Sequence, residues 1–203
     1  MAFSTMTNRA TGYIVLESDW DDITDNFDVL NTDAVYLFPD LGPGQVPASG
    51  IVGAAFEIAE SSDSGTAKPL IEQLLFDDTT DEGRIWSFRM PRQYGGNPVL
   101  VGSYKMAGAN VSKTVGLVAQ LAAVSDGDAA HSAKAYAAAN ASTEAVPDDA
   151  DTSDEFSITL TNDDSVTAND WVSLILYRDV DASDDASGDF QLTSLSLNFT
   201  LEA

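Results

Sequence analysis

"EFSITLTNDDSVTANDWVSLILYRDV" (155–180) decides the fold. In its first part Phe156, Ile158 and Leu160 alternate with Ser157, Thr159 and Thr161. Successive strand side chains point to opposite faces, so this period reads as a half-buried antiparallel strand over 156–162. The second part, 171–177, is apolar on both faces, as a central strand between two layers must be. The intervening residues are rich in Asn, Asp, Ser and Thr, which favour turns through their own side-chain hydrogen bonds.

The same period extends outward. In "RIWSFRM" (84–90) Trp86, Phe88 and Met90 alternate with Ile85, Ser87 and Arg89, and Pro91 ends the run. Further strands are expected at 12–17, 33–38, 51–59, 70–76, 98–106 and 115–124. In the last strand the apolar parity shifts from Phe190 and Leu192 to Leu195, Leu197, Phe199 and Leu201. A bulge near Thr193–Ser194 accounts for that shift. The Ala-rich stretch 131–142 is helical by propensity, but Lys134 and Tyr136 would share one strand face, and strand is the preferred reading. The expected fold is therefore all-β, a jelly-roll-like antiparallel β-sandwich of about 8–11 strands. It is read as one domain over 1–203, with 1–11 a candidate docking arm.

Charge is the outlier of the composition. The chain carries 33 acidic and 9 basic residues, a formal net charge of −24. Of the acids 25 are Asp and only 8 are Glu, which places the charge in loops rather than helices. Such a surface repels nucleic acids and anionic membranes, so neither is expected as a partner. Cysteine is absent, which removes disulfides and thiolate sites. No apolar run approaches a membrane span, and "MAFSTMTNRATGY" has neither the basic start nor the apolar stretch of a signal peptide.

Candidate sites are few. The aspartates at 179, 181, 184, 185 and 189 suggest a calcium loop, yet Asp184 and Phe190 stand where an EF-hand needs Gly and Glu. The expected reading is a solvated hairpin loop with no cofactor. A looser calcium site on Asp179, Asp181, Asp185 and Asp189 is the alternative. His131, the sole histidine, has no Ser/Asp pattern around it. Glu57 and Glu72 are carboxylates inside apolar strands and read as outward-facing. Trp20, Trp86, Trp171, Tyr94, Tyr104, Tyr136 and Tyr177 read mainly as core, with Tyr94 the most exposed. Arg84, Arg89 and Arg92 fall within nine positions and form a candidate docking patch.

Two segments carry a resemblance. "IWSFRMPRQYGGNPVLVGSYKM" (85–106) and "EFSITLTNDDSVTANDWVSLILYRDVDASDDASGDFQLTSLSLNFT" (155–200) resemble jelly-roll virion proteins of tailed, often marine, bacteriophages. The match covers about residues 80–201. It implies a non-enzymatic capsid decoration, cement or head-fibre protein on the virion surface, assembled in the host cytoplasm. It also implies a homotrimer seated on the major capsid protein or another virion protein. The alternative is a receptor- or carbohydrate-binding jelly-roll module of a tail or fibre appendage. A glycan depolymerase with paired carboxylates is the enzymatic reading, and only the abundance of acids points to it.

Overall fold

The computed structural model describes residues 32–62, 65–128, 133–181 and 183–202. Among these, eleven strands form two packed sheets. They are β1 (Thr32–Phe38), β2 (Val52–Gly53), β3 (Ala55–Glu60), β4 (Leu70–Phe76), β5 (Glu82–Arg89) and β6 (Val99–Met106). They continue with β7 (Thr114–Val124), β8 (Asn140–Ala145), β9 (Asp154–Thr159), β10 (Trp171–Arg178) and β11 (Phe190–Thr200). One sheet runs β3-β4-β11-β6-β9, with β1 also on β11; the other runs β2-β5-β10-β7-β8. All pairings are antiparallel except the short β2–β5 pair. This is the expected jelly-roll-like sandwich.

The alternations seen in the sequence set the layers. Val172, Leu174 and Leu176 of β10 line the core beside Leu117, Leu121 and Trp86 of the same sheet, while Phe156, Ile158 and Leu160 close it from the other sheet. Phe190 stacks on Tyr104 at 4.5 Å between ring centroids, and Phe76 meets it edge-on at 5.7 Å. Gly102 makes room for this cluster: a Cβ there would lie 2.5 Å from the Phe156 ring. The parity shift in β11 is a bulge between Leu192 and Ser194. It divides one edge of the strand, so that β4 pairs before the bulge and β1 after it.

Two expectations are corrected. The run 51–59 is not one strand: Val52–Gly53 joins one sheet and Ala55–Glu60 the other. The chain changes layers at Ala54, which is fully buried and donates its amide to the Gly83 carbonyl at 3.1 Å. Within 131–142, residues 133–139 form no strand, and regular pairing starts only at Asn140. Instead Tyr136 lays its hydroxyl 2.8 Å from the Ser173 hydroxyl, on the face of β10 that points away from the core. The expected strand at 12–17, the arm 1–11, Trp20 and His131 lie outside the described residues.

The 179–189 loop is built around one buried cation. Arg178 is wholly buried at the end of β10. Its Nε and Nη2 donate to the two carboxylate oxygens of Asp184, at 2.7 and 2.9 Å. Nη1 donates to the carbonyls of Phe76 and Gly188, and Nη2 also to that of Ala186. All five guanidinium protons therefore have acceptors, the condition under which a buried charge is tolerated. The neighbouring aspartates hold backbone. Asp78 accepts from the Gly188 amide at 2.6 Å, Asp81 from Val180 at 3.0 Å and Asp185 from Thr114 at 2.8 Å.

Removing Arg178 leaves Asp184 buried without its partner. Arg178→Ala is expected to destabilise the protein by about 3–5 kcal/mol in urea unfolding, and Arg178→Lys to recover only part of that loss. Asp185 supplies a separate acid-sensitive tie. The Thr114 amide first, and Lys113 after it, hold its carboxyl below the usual value of 3.8. Its contribution is therefore present above the unfolded value and lost as pH falls through the lower folded one. Asp185→Asn should flatten the acid limb of a melting-temperature profile below about pH 4; an unchanged limb would count against this tie.

Candidate functional site

The two ends of β10 differ in chemistry. Arg178 closes one end. At the other, Trp171 pairs with Arg89 of β5 on one side and Val124 of β7 on the other. The three side chains thus form the terminal row of the sheet's outer face. They line a cleft of about 820 Å³. Its rim comes from two loops, the β7 turn with Asp126 and Asp128 and the β9–β10 connection with Asn169 and Asp170.

Both loops are held by their own aspartates. Asp128 accepts from the Ser125 amide at 3.0 Å, closing a turn with Gly127 at a φ of 90°. Asp170 is buried and accepts from the amide and hydroxyl of Thr167, at 2.7 and 3.1 Å. Asp164 accepts from the Ala123 amide at 2.8 Å and pairs with Lys134 at 2.8 Å, so the β9–β10 loop is pinned to β7. The Lys134 amine is raised above its ordinary value, chiefly by that hydrogen bond to Asp164. Asn169 donates its amide to the Met90 carbonyl at 3.1 Å.

The cleft therefore has a preformed floor and rim. Trp171 is half-buried and supplies an amphipathic indole. Arg89 is an exposed donor, Asp126 and Asp128 are exposed acceptors, and Asn169 offers both functions. An apolar ring among convergent donors and acceptors suits a ligand with one apolar face and many hydroxyls. Three carboxylates to one guanidinium disfavour an anionic ligand.

The residues singled out in the sequence are distributed differently. Arg84, Arg89 and Arg92 do not form a patch. Arg84 has the parity of Trp86 and turns inward, where its Nε donates to the Ala54 carbonyl at 2.7 Å and Nη1 reaches Gly44. Arg89 has the opposite parity and faces the cleft, while Arg92 is exposed in the turn after β5. The Asp179 carboxylate accepts from the Asp181 amide at 3.2 Å, and Asp185 is engaged by Thr114 and Lys113. The Asp189 carboxyl is raised, first by burial and then by the charges of Asp77 and Asp78. Among the described residues no three His, Asp or Glu side chains are grouped to hold a metal ion.

Glu57 accepts a hydrogen bond from Gln73 at 3.0 Å, and Glu72 is exposed. Tyr94 is buried rather than exposed, with its ring 5.3 Å from that of Phe199. Trp86 and Tyr104 are core residues, whereas Trp171 lines the cleft. The parity of Trp171 against Val172 and Leu174 was the available signal for this, since it places the indole on the outer face. The two apolar faces of 171–177 hid it.

No protein family matches the chain, and no curated protein does either. Solved structures do. One is a family 11 carbohydrate-binding module from Clostridium thermocellum with a mixed-linked β-1,3-1,4 tetrasaccharide, at 12% identity and a TM-score of 0.39 over 86% of this chain and 92% of that one. Another is a family 27 module from Caldicellulosiruptor saccharolyticus with mannohexaose, at 11% identity and a TM-score of 0.39 over 81% and 96%. A third is a family 28 module specific for non-crystalline cellulose, at 11% identity and a TM-score of 0.41 over 84% and 94%.

These findings correct the phage reading. The structures named above are carbohydrate-binding modules, and no family model supports a phage virion family. The segments that carried the resemblance consist largely of inward strand residues such as Trp86, Tyr104, Phe156 and Leu174, with the turns between them. Those features are what a jelly roll of this size requires, so they do not specify a capsid role.

Proposed function

We propose that this chain is a non-catalytic carbohydrate-binding module whose ligand lies on the Trp171 cleft. The observation that carries the reading is the Arg89–Trp171–Val124 row, which lines a cleft rimmed by Asp126, Asp128 and Asn169. A pyranose ring presents an apolar C–H face and a girdle of hydroxyls. The indole meets the first, and the guanidinium, carboxylates and amide meet the second. The likeness to known modules adds no weight to this argument and serves only to choose probes.

The acidic character of the cleft selects within carbohydrates. Neutral glycans meet no repulsion there, whereas uronic and sulfated chains approach a protein of net charge −24 and a rim of like sign. The carboxylates do not form a hydrolytic pair. Asp170 is bound to Thr167, and Asp126 and Asp128 sit on one turn rather than on opposite sides of a scissile bond.

Calorimetry with mannohexaose, a mixed-linkage β-glucan tetrasaccharide and an alginate oligosaccharide tests the reading. Saturable binding is expected for a neutral glycan and not for alginate. Trp171→Ala should weaken it about 30-fold, the loss typical of a central aromatic contact. Arg89→Ala, at an exposed position, should weaken it without altering the circular dichroism spectrum. The absence of saturable binding, or wild-type affinity in both variants, would overturn the proposal.

A further inference from the structure

A second depression, of about 560 Å³, opens beside the cleft at the same end of the sandwich. Tyr94, Gly95 and Gly96 line it from the β5–β6 turn, and Leu201 and Glu202 from the end of β11. Thr167 and Ala168 line both hollows. The β9–β10 loop is therefore a narrow ridge between two adjoining depressions. Each alone falls within the roughly 300–1,000 Å³ of a small-ligand site, so together they admit a ligand longer than either holds.

We infer that the ligand is an extended neutral oligosaccharide that crosses the Thr167–Ala168 ridge and fills both hollows, with Tyr94 serving the second. The inference rests on the carbohydrate-binding reading above and adds to it the chain length and a second contact residue.

Three observations support it. The ridge is preformed: Val166, Thr167 and Asn169 each donate a backbone amide, to the Asp163 carbonyl, the Asp170 carboxylate and the Met90 carbonyl. Asp164, Ser165 and Asn169 hold left-handed φ values of 57°, 56° and 68°, so the loop follows one defined path. A ligand laid across it orders little and loses little affinity in doing so.

Next, the Tyr94 hydroxyl is buried and has no hydrogen-bond partner among the described residues. A buried hydroxyl left unpaired is disfavoured, and a sugar hydroxyl would supply the missing acceptor. Burial, and the charge of Asp163 after it, pushes this phenol up to about 12, so it remains a donor at neutral pH.

Finally, the second hollow combines apolar side chains with bare backbone and polar groups. At Gly95 a Cβ would lie 2.7 Å from the Leu201 carbonyl, so no side chain can stand there. Glu202 is the one charged lining residue. Such a wall accepts a neutral sugar face, as the first hollow does.

Calorimetric titration with ladders from mannobiose to mannohexaose and from cellobiose to cellohexaose tests this. In the ladder that binds, affinity is expected to rise at least about tenfold from the shortest to the longest member. Tyr94→Phe should lower hexasaccharide affinity about fivefold while leaving disaccharide affinity unchanged and the melting temperature equal or higher. Equal affinity along a ladder overturns the bridging ligand and leaves carbohydrate binding standing. A length dependence insensitive to Tyr94→Phe overturns the second hollow as the added site. Failure of both ladders to bind overturns the inference together with the reading it rests on.

Discussion

The buried guanidinium of Arg178 is the constraint on which the acidic end of this protein depends. A charge without solvent must have every donor met, and here one carboxylate and three carbonyls meet them. Those acceptors come from β4 and from the 179–189 loop, so one side chain fixes their relative positions. Acids of the β4–β5 connection complete the loop by accepting from its amides, as Asp78 does from Gly188 and Asp81 from Val180.

The same arrangement explains why aspartate outnumbers glutamate so heavily. The short Asp side chain reaches amides a few residues away and closes turns. Asp128, Asp163 and Asp170 do this near the cleft, while Asp148 ties the distant Ser112 amide. Much of the negative charge is thus local structure rather than a ligand set. Strand β10 joins the two regimes. Its Arg178 end is closed by internal hydrogen bonds, and its Trp171 end borders a cleft whose rim is held by similar bonds.

The layers were legible because they depend on side-chain period alone. Phe156, Ile158 and Leu160 declared one face, and the changed parity after Leu192 located the bulge within a residue. The break at Ala54 was not legible, because a crossing between layers leaves the apolar run 51–59 uninterrupted. Arg178 was passed over although "LILYRD" places a cation inside an apolar strand just before an acidic run. That pattern signals a buried ion pair, but which acid answers it depends on how the loop folds back. The cleft was hidden for a similar reason. Arg89, Val124 and Trp171 are far apart in sequence and meet only through the β5–β10–β7 register. The phage resemblance misled because its matching positions are core and turn positions, which record the fold and not the use.

The proposed ligand occupies the Trp171 end of β10, whereas the Arg178 end is structural. Mapping backbone amide shifts by NMR during titration with mannohexaose tests this most directly. The account predicts perturbations at 124–128 and 166–171, with the Trp171 indole among them, and none over 179–189. Shifts confined to the 179–189 loop, with the Trp171 row silent, would contradict it.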